Sequence, residues 1–215
     1  MYKIFTVIIF SALIWVAACS DKTEVAKTNT ETDHTKMDHS KMDHSKMDHS
    51  TMNSSPNAAS APYDLQFLDT MIAHHQGAVE MAGPCASKAQ HSEIKTLCSN
   101  IISSQQKEIA QMKTWREQWF AGKAPAINMQ MPGMSDSMKG MDMKALDSLS
   151  GNAFDLEFIE QMSPHHEGAV VMAEEALQKS SRDEIKKLAK EIIKAQQAEI
   201  DQMASWQNKW LDGKQ

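Results

Sequence analysis

The sequence predicts an all-α fold, a four-helix bundle formed by two duplicated helical hairpins and preceded by a disordered tail. Residues 64–123 align with residues 155–214 without a gap, and 28 of the 60 positions are identical, far more than chance allows. In both copies apolar residues recur at helical spacing over two successive segments, so each copy predicts two helices. One hairpin cannot bury its apolar face alone, whereas two hairpins packed together form a bundle.

The chain divides into five predicted segments. They are a lipoprotein signal peptide (1–18), a lipid-anchored disordered tether (19–62), a first hairpin (63–123), a Met-rich connector (124–150) and a second hairpin (151–215). Ser181 followed by Glu184 predicts a capping box at the start of the last helix, and Gly213 predicts its end. Pro164, inside the third long helix, predicts a kink because proline removes a backbone hydrogen bond.

The first residues resemble an export signal. An apolar run from Ile4 to Val16 precedes Ala17, Ala18 and Cys19, and this order resembles a bacterial lipobox, in which the cysteine receives lipid. The run is shorter than the roughly 20 apolar residues that span a bilayer. We therefore expect a lipoprotein of the bacterial cell envelope that faces the periplasm and contacts the membrane through Cys19. The signal is compatible with an anchor in either the outer or the inner membrane.

Charge and methionine content narrow the class of partner. With 22 basic and 28 acidic residues the formal charge is −6, so no basic surface for a nucleic acid is expected. The 17 methionines are unusually many beside 6% aromatic residues. One starts the chain, four lie in the tail, six in the connector and six in the hairpins, three in each copy. Metal ions are the partners that this distribution favours.

The tail carries a pentad repeat, Lys-Met-Asp-His-Ser, that begins at Lys36 and occurs three times. Residues 21–61 lack apolar periodicity and cannot offset their chain entropy by burial, which predicts disorder. Each pentad offers a thioether, a carboxylate and an imidazole, which together suit copper in either oxidation state. A solvated spacer is the alternative. The candidate auxiliary ligands here are His34, Met37, His39, Met42, His44, Met47 and His49.

Two cysteines remain in the mature chain, and an exported protein favours a disulfide between them. An antiparallel hairpin with its turn near His91 places Cys85 opposite Cys98. The second copy has Ala176 and Ala189 at the equivalent positions, so both thiols were replaced together. We therefore predict a Cys85–Cys98 disulfide.

The same register predicts a metal site in each hairpin. It places Met71 opposite Met112 and His75 opposite Glu108, while His74 lies three residues after Met71 on the first helix. Two thioethers with one or two imidazoles form a soft ligand set, which suits Cu(I) or Ag(I). The carboxylate of Glu108 would orient the histidine ligand rather than bind the metal itself. The equivalent residues of the second copy are Met162, His165, His166, Met203 and Glu199.

Core packing is the alternative for these residues, because methionine at helical spacing and histidine on an apolar face are common in cores. For Met81 and Met172 it is the favoured interpretation. The connector predicts a loop followed by a short helix, and its candidate ligands Met129, Met131 and Met134 serve either Cu(I) binding or hydrophobic packing over the bundle.

Three motifs resemble the CopM-like family, also called domain of unknown function 305. They are Phe-x-x-x-Met-x-x-His-His-x-Gly-Ala-Val-x-Met-Ala, Gln-Gln-x-Glu-Ile-x-x-Met-x-x-Trp and the connecting Met-Pro-Gly-Met. The resemblance covers residues 63–214 and implies a ferritin-like four-helix bundle, export to the envelope and, for the member that names the family, copper binding and resistance. Carried over by position, the implied ligands are Met71, His74, His75, Met112, Met162, His165, His166 and Met203.

The expected function is therefore an envelope copper-binding protein, with Cu(I) preferred and Ag(I) and Cu(II) as further ions, that sequesters copper or delivers it, for example to efflux components. No enzymatic activity is expected, because residues 63–215 contain no Glu-x-x-His motif of the kind that di-iron bundles use. A metal-free envelope interaction or stress protein is the alternative, and a metal-dependent oxidase is the less favoured one.

Overall fold

The computed structural model describes residues 52–138 and 140–211. Within them the fold is all-α, and the predicted ferritin-like four-helix bundle of two hairpins is confirmed. The helices are α1 (Tyr63–Ala82), α2 (Cys85–Lys88), α3 (Ser92–Phe120), α4 (Met134–Met138), α5 (Met143–Ser148), α6 (Gly151–Lys179) and α7 (Asp183–Leu211), and a 3₁₀ turn spans Ala58–Ser60.

Several sequence predictions concern residues outside this description. They include the signal peptide, the end of α7 at Gly213 and the tail residues Cys19, His34, Met37, His39, Met42, His44, Met47 and His49. None of the helices in residues 52–138 and 140–211 has both the length and the apolar character needed to cross a bilayer.

The two hairpins pair as the duplication predicts. Helix α1 packs along α3 and α6 along α7, while α1 and α6 pack on each other and join the copies. Large apolar side chains from all four helices fill the space between them and become fully buried, which provides the main stabilisation of the bundle. Examples are Phe67, Leu68, Ile94, Ile101, Phe154, Phe158, Ile185 and Ile192.

The copies differ just before their hairpin turns. In the first copy α1 ends at Ala82, Gly83 and Pro84 follow, and the short helix α2 begins at Cys85. Proline cannot continue the hydrogen-bond ladder of α1, whereas α6 has glutamates at both equivalent positions and runs on to Lys179. The predicted disulfide is confirmed: Cys85 bonds Cys98, with Cα atoms 6.3 Å apart, and ties α2 to α3. Helix α6 also continues through Pro164, and the kink there stays a prediction.

The turn of the first hairpin contacts the open end of the second. Asp155 of α6 accepts hydrogen bonds from the amides of Gln90 and His91 and contacts His91 Nδ1 at 2.7 Å. The His91 ring stacks on Trp210 near the end of α7, with centroids 3.8 Å apart. The two hairpins therefore lie antiparallel, each turn beside the other's open end.

The second hairpin repeats this contact with other residues. Arg182, equivalent to His91, lies 4.0 Å above the Trp119 ring and 3.6 Å from the carboxylate of Asp64. Ser181 donates its hydroxyl to the same carboxylate at 3.2 Å. Helix α7 begins only at Asp183, so the predicted capping box of Ser181 and Glu184 is wrong. The serine hydroxyl bonds to Asp64 of the first copy instead of capping the helix.

Residues 52–62 pack on the connector. The amide of Ser55 donates to the carbonyl of Ile127 at 2.7 Å, and the amide of Met129 donates to the hydroxyl of Ser54 at 2.9 Å. The prediction of a disordered tether therefore does not hold for residues 52–62. Beyond this pairing the connector forms a loop and the two short helices α4 and α5 before α6 begins.

Candidate metal centre

A buried imidazole meets a carboxylate inside each hairpin. His75 of α1 lies 2.7 Å through Nε2 from Glu108 Oε2 of α3, as the hairpin register predicts. Because an ionised carboxylate only accepts hydrogen bonds, the proton of the imidazole lies on Nε2, and in the neutral ring Nδ1 carries the lone pair. Nδ1 is buried and has no hydrogen-bond partner among the described residues. This tautomer therefore presents a nitrogen donor to the interior of the hairpin.

The second hairpin repeats the geometry. His166 Nε2 lies 2.7 Å from Glu199 Oε2, and His166 Nδ1 is likewise buried without a hydrogen-bond partner among the described residues. Both histidine side chains are fully buried, whereas the two carboxylates retain partial solvent access. A buried polar atom without a partner is costly, so its repetition in two diverged copies favours a ligand at that position.

Thioethers flank each of these imidazoles. Met71 lies one turn before His75 on α1, and Met112 lies one turn after Glu108 on α3, so the antiparallel register places the two methionines at opposite positions of the hairpin. Both are fully buried, as are Met162 and Met203 in the second copy. The two sites are not identical, because the hydroxyl of Ser163 donates to Met203 Sδ at 3.8 Å. In the first copy Ile72 replaces that serine.

The other histidine of each pair faces the opposite copy. The rings of His74 and His165 lie against each other across the contact of α1 with α6, with centroids 3.8 Å apart and planes inclined by 37°. Their sequence neighbours His75 and His166 are 6.2 and 6.4 Å away by ring centroid. The ligand group predicted for each copy is thus divided between the hairpin interior and the junction of the copies.

The connector covers this junction. His74 Nε2 lies 3.1 Å from the hydroxyl of Ser137 in α4, which donates its own hydrogen to the carbonyl of Met134 at 2.8 Å. The serine oxygen must therefore accept from His74, which fixes the proton of this imidazole on Nε2. A Cβ at Gly168 would lie 2.3 Å from Ser137 Cβ, so the connector reaches His74 only because α6 has glycine there.

The connector methionines pack into the apolar core. Met131 and Met134 are buried and Met129 is half-buried, and all three contact the core cluster. This placement favours hydrophobic packing over the alternative of an exposed Cu(I)-binding loop. Ser137, which the sequence did not single out, contacts His74, and Met141, one of the six connector methionines, lies beside Gly77 of α1. No sequence signal could have found Ser137, because the connector is not duplicated.

Two buried glutamines lie near the carboxylates, although the sequence motifs did not mark them as site residues. Gln105 and Gln196 lie one turn before Glu108 and Glu199, and their side-chain oxygens are buried without a hydrogen-bond partner among the described residues. Both glutamines are retained between the copies, where a polar core residue is unexpected. That combination is the signal by which the sequence could have placed them beside the carboxylates.

Fold and site together define a class: a duplicated helical hairpin bundle whose buried histidines are oriented by carboxylates and flanked by thioethers. The family model "Domain of unknown function (DUF305)" matches residues 13–116 and 64–207, so the chain belongs to this family, as its motifs indicated. None of the curated proteins matches the chain.

Solved structures of CopM resemble the chain over the bundle. The Cu(II)-bound form of CopM is 44% identical, with a TM-score of 0.60, and the match covers 68% of this chain and 97% of that chain. The Cu(I)-bound form is 42% identical with a TM-score of 0.59, covering 68% and 96%. The Ag-bound form from co-crystallisation gives the same four values. CopM thus binds copper and silver on a related bundle.

Proposed function

We propose that this protein binds copper as Cu(I), with one ion held inside each hairpin. The observation that carries the proposal is the buried Nδ1 of His75, repeated at His166, on a ring whose other nitrogen donates to a carboxylate. Histidines that ligate metals commonly donate their second nitrogen to such an acceptor, which fixes the tautomer and makes the ligand more basic. The likeness to CopM, whose structures contain copper and silver, supports the choice of metal.

The proposed ligands of the first site are His75 Nδ1 and the sulfurs of Met71 and Met112. Those of the second are His166 Nδ1 with Met162 and Met203. All of these donors are neutral and polarisable and lie in an apolar interior, a set that suits a soft monovalent ion and suits Mg²⁺ or Ca²⁺ poorly. Glu108 and Glu199 supply nearby negative charge through the imidazoles.

We further propose that the protein is located in the cell envelope. The lipobox-like sequence at Cys19 supports a lipid anchor that holds the protein on the periplasmic side of a membrane. The Met- and His-containing pentads would collect copper near the membrane, and the bundle would hold it for storage or for delivery to an efflux component. Binding rather than catalysis is the proposed activity, because residues 63–215 lack the Glu-x-x-His motif of di-iron oxidases.

Competition with a chromogenic Cu(I) chelator tests the proposal. In the full mature chain, Met71→Leu and Met112→Leu combined with Met162→Leu and Met203→Leu should lower the tightly bound copper by two ions per chain. The control combines Met81→Leu with Met172→Leu, which are equally buried and lie on the helices of Met71 and Met162, and it should leave the number unchanged. Equal copper binding by the quadruple variant and the wild type would refute the hairpin sites.

A further inference from the structure

One hydroxyl distinguishes the two hairpin sites. Ser163 of α6 donates to Met203 Sδ of α7 at 3.8 Å, across the second hairpin. In the first hairpin Ile72, which cannot donate, holds the equivalent position of α1. The proposed ligands themselves are the same residue types in both copies. The contact therefore changes the chemistry of one thioether and leaves its counterpart Met112 as it is.

The hydroxyl of Ser163 does not follow the pattern seen on α3. Three hydroxyls of that helix donate to the backbone carbonyl four residues before them, those of Thr96, Ser104 and Thr114. Inside helices this is a common choice for serine and threonine. A carbonyl acceptor is also at hand for Ser163, because Pro164 offers no amide to the carbonyl of Glu160. The hydroxyl nevertheless contacts a thioether on the facing helix, which is a weaker acceptor.

A need to hold Met203 in place does not explain this contact. Met203 is fully buried, and so is Met112, although Ile72 provides no hydroxyl in the first hairpin. Packing therefore suffices to hold the thioether. The electronic effect remains, because a hydrogen bond to a sulfur reduces the electron density that the sulfur can share with a metal, and such contacts tune metal sites.

We propose that Ser163 makes the second hairpin the weaker of the two soft-metal sites. The inference rests on the proposed function, because it takes Met112 and Met203 as ligands. A metal ion on Met203 either shares the sulfur with the hydroxyl proton or displaces that proton, and both lower the affinity.

The size of the effect follows from the single hydrogen bond. The contact is long, so the second site should bind silver about 2–5-fold more weakly than the first, at the lower end of what one hydrogen bond contributes. At low metal concentration the first hairpin then fills first. The second hairpin is the one that gives up its metal more readily to a recipient.

Methionine methyl NMR measures the two sites separately in one sample. The full chain, labelled with ¹³C at the methionine methyl groups, is titrated with silver nitrate while excess unlabelled free methionine competes for the ion. Single Met→Leu variants assign the resonances. We expect the methyls of Met71 and Met112 to complete half of their shift at a lower free silver concentration than those of Met162 and Met203.

Substitutions of Ser163 isolate the hydroxyl from other differences between the copies. In Ser163→Ala the methyls of Met162 and Met203 should respond at about 2–5-fold lower free silver than in the wild type, while the first hairpin stays unchanged. Ser163→Thr keeps a hydroxyl and should behave like the wild type. Ser104→Ala, which removes a hydroxyl that donates to backbone carbonyls of α3, is the matched control and should change neither site.

The direction of the change separates this role from a structural one. If Ser163 only held Met203 in place, Ser163→Ala would weaken the second site, so a weaker or an unchanged response in that variant overturns the inference. Equal silver affinities of the two hairpins in the wild type also overturn it and leave the hairpin sites standing. Hairpin methionines that do not respond to silver at all refute the proposed function together with this inference.

Discussion

His74 of α1 and His165 of α6 lie ring against ring, with centroids 3.8 Å apart, where the two copies of the duplicated hairpin meet. Equivalent residues contact each other in this way when two units are related by a two-fold axis that passes between them. The bundle is therefore an internal pseudo-dimer. One histidine of each His-His pair lies at its axis, and the other lies inside a hairpin against a carboxylate.

Asp155 should contribute more to stability than its equivalent Asp64. Asp155 is fully buried and accepts from two amides and His91, whereas Asp64 contacts a partly exposed arginine and one hydroxyl. Asp155→Ala leaves these donors unpaired and should lower the free energy of unfolding by about 3 kcal/mol. Urea denaturation measures it. A loss in Asp64→Ala as large as that in Asp155→Ala would contradict the role assigned to Asp155.

Gly168 should be essential for seating the connector. A Cβ there would lie 2.4 Å from the carbonyl oxygen of Gly133 and 2.3 Å from Ser137 Cβ, so Gly168→Ala forces the two segments apart. We expect a loss of about 1–3 kcal/mol in urea denaturation, typical of overpacking, with faster proteolysis within residues 124–150. Gly140→Ala, where a Cβ meets nothing within 4 Å, is the control. Equal effects of the two substitutions would rule out the tight contact.

The disulfide should stabilise the first hairpin without determining its fold. The double variant Cys85→Ala and Cys98→Ala reproduces the alanines of the second copy, so it should fold. Its free energy of unfolding should fall by about 2–4 kcal/mol, which is typical of a disulfide. The wild type in reductant should match the variant, and the variant should not respond to reductant. A wild-type stability unaffected by reductant would count against the bond.

Replacing the carboxylates should weaken copper binding although they are not ligands. In Glu108→Gln and Glu199→Gln the amide can accept from Nε2 or donate to it, so the tautomer with a free Nδ1 lone pair is no longer enforced and the negative charge beside the imidazole is lost. Cu(I) affinity should drop about 10–100-fold in chelator competition, as is typical when the partner of a ligating histidine is lost. Glu117→Gln, on the exposed face of α3, is the control. Unchanged affinity in the double variant would contradict the supporting role of the carboxylates.

The contacts within each hairpin could be predicted from sequence. Helical periodicity and one turn position determine which residues of an antiparallel pair lie opposite each other. The disulfide between Cys85 and Cys98 and the contact of His75 with Glu108 followed from that rule. Both depend only on local helix geometry and on a short connection.

The contacts between the copies could not be predicted in this way. Adjacent residues such as His74 and His75 lie about 100° apart on a helix, and periodicity alone does not say which of the two faces another hairpin. Ser181 matched a capping pattern, but Asp64 of the other copy accepts its hydroxyl hydrogen. The connector occurs once, so comparison of the copies gave no indication that Ser137 and Met141 reach the junction.

Anomalous diffraction from crystals of the silver-loaded full chain tests the hairpin sites most directly. The anomalous peaks should include one bonded to His75 Nδ1 with the sulfurs of Met71 and Met112, and one bonded to His166 Nδ1 with those of Met162 and Met203. The contacts of both histidines with Glu108 and Glu199 should remain intact. Silver bound elsewhere while both Nδ1 atoms have no metal, or a metal on Nε2 with the carboxylate displaced, would contradict the proposed function.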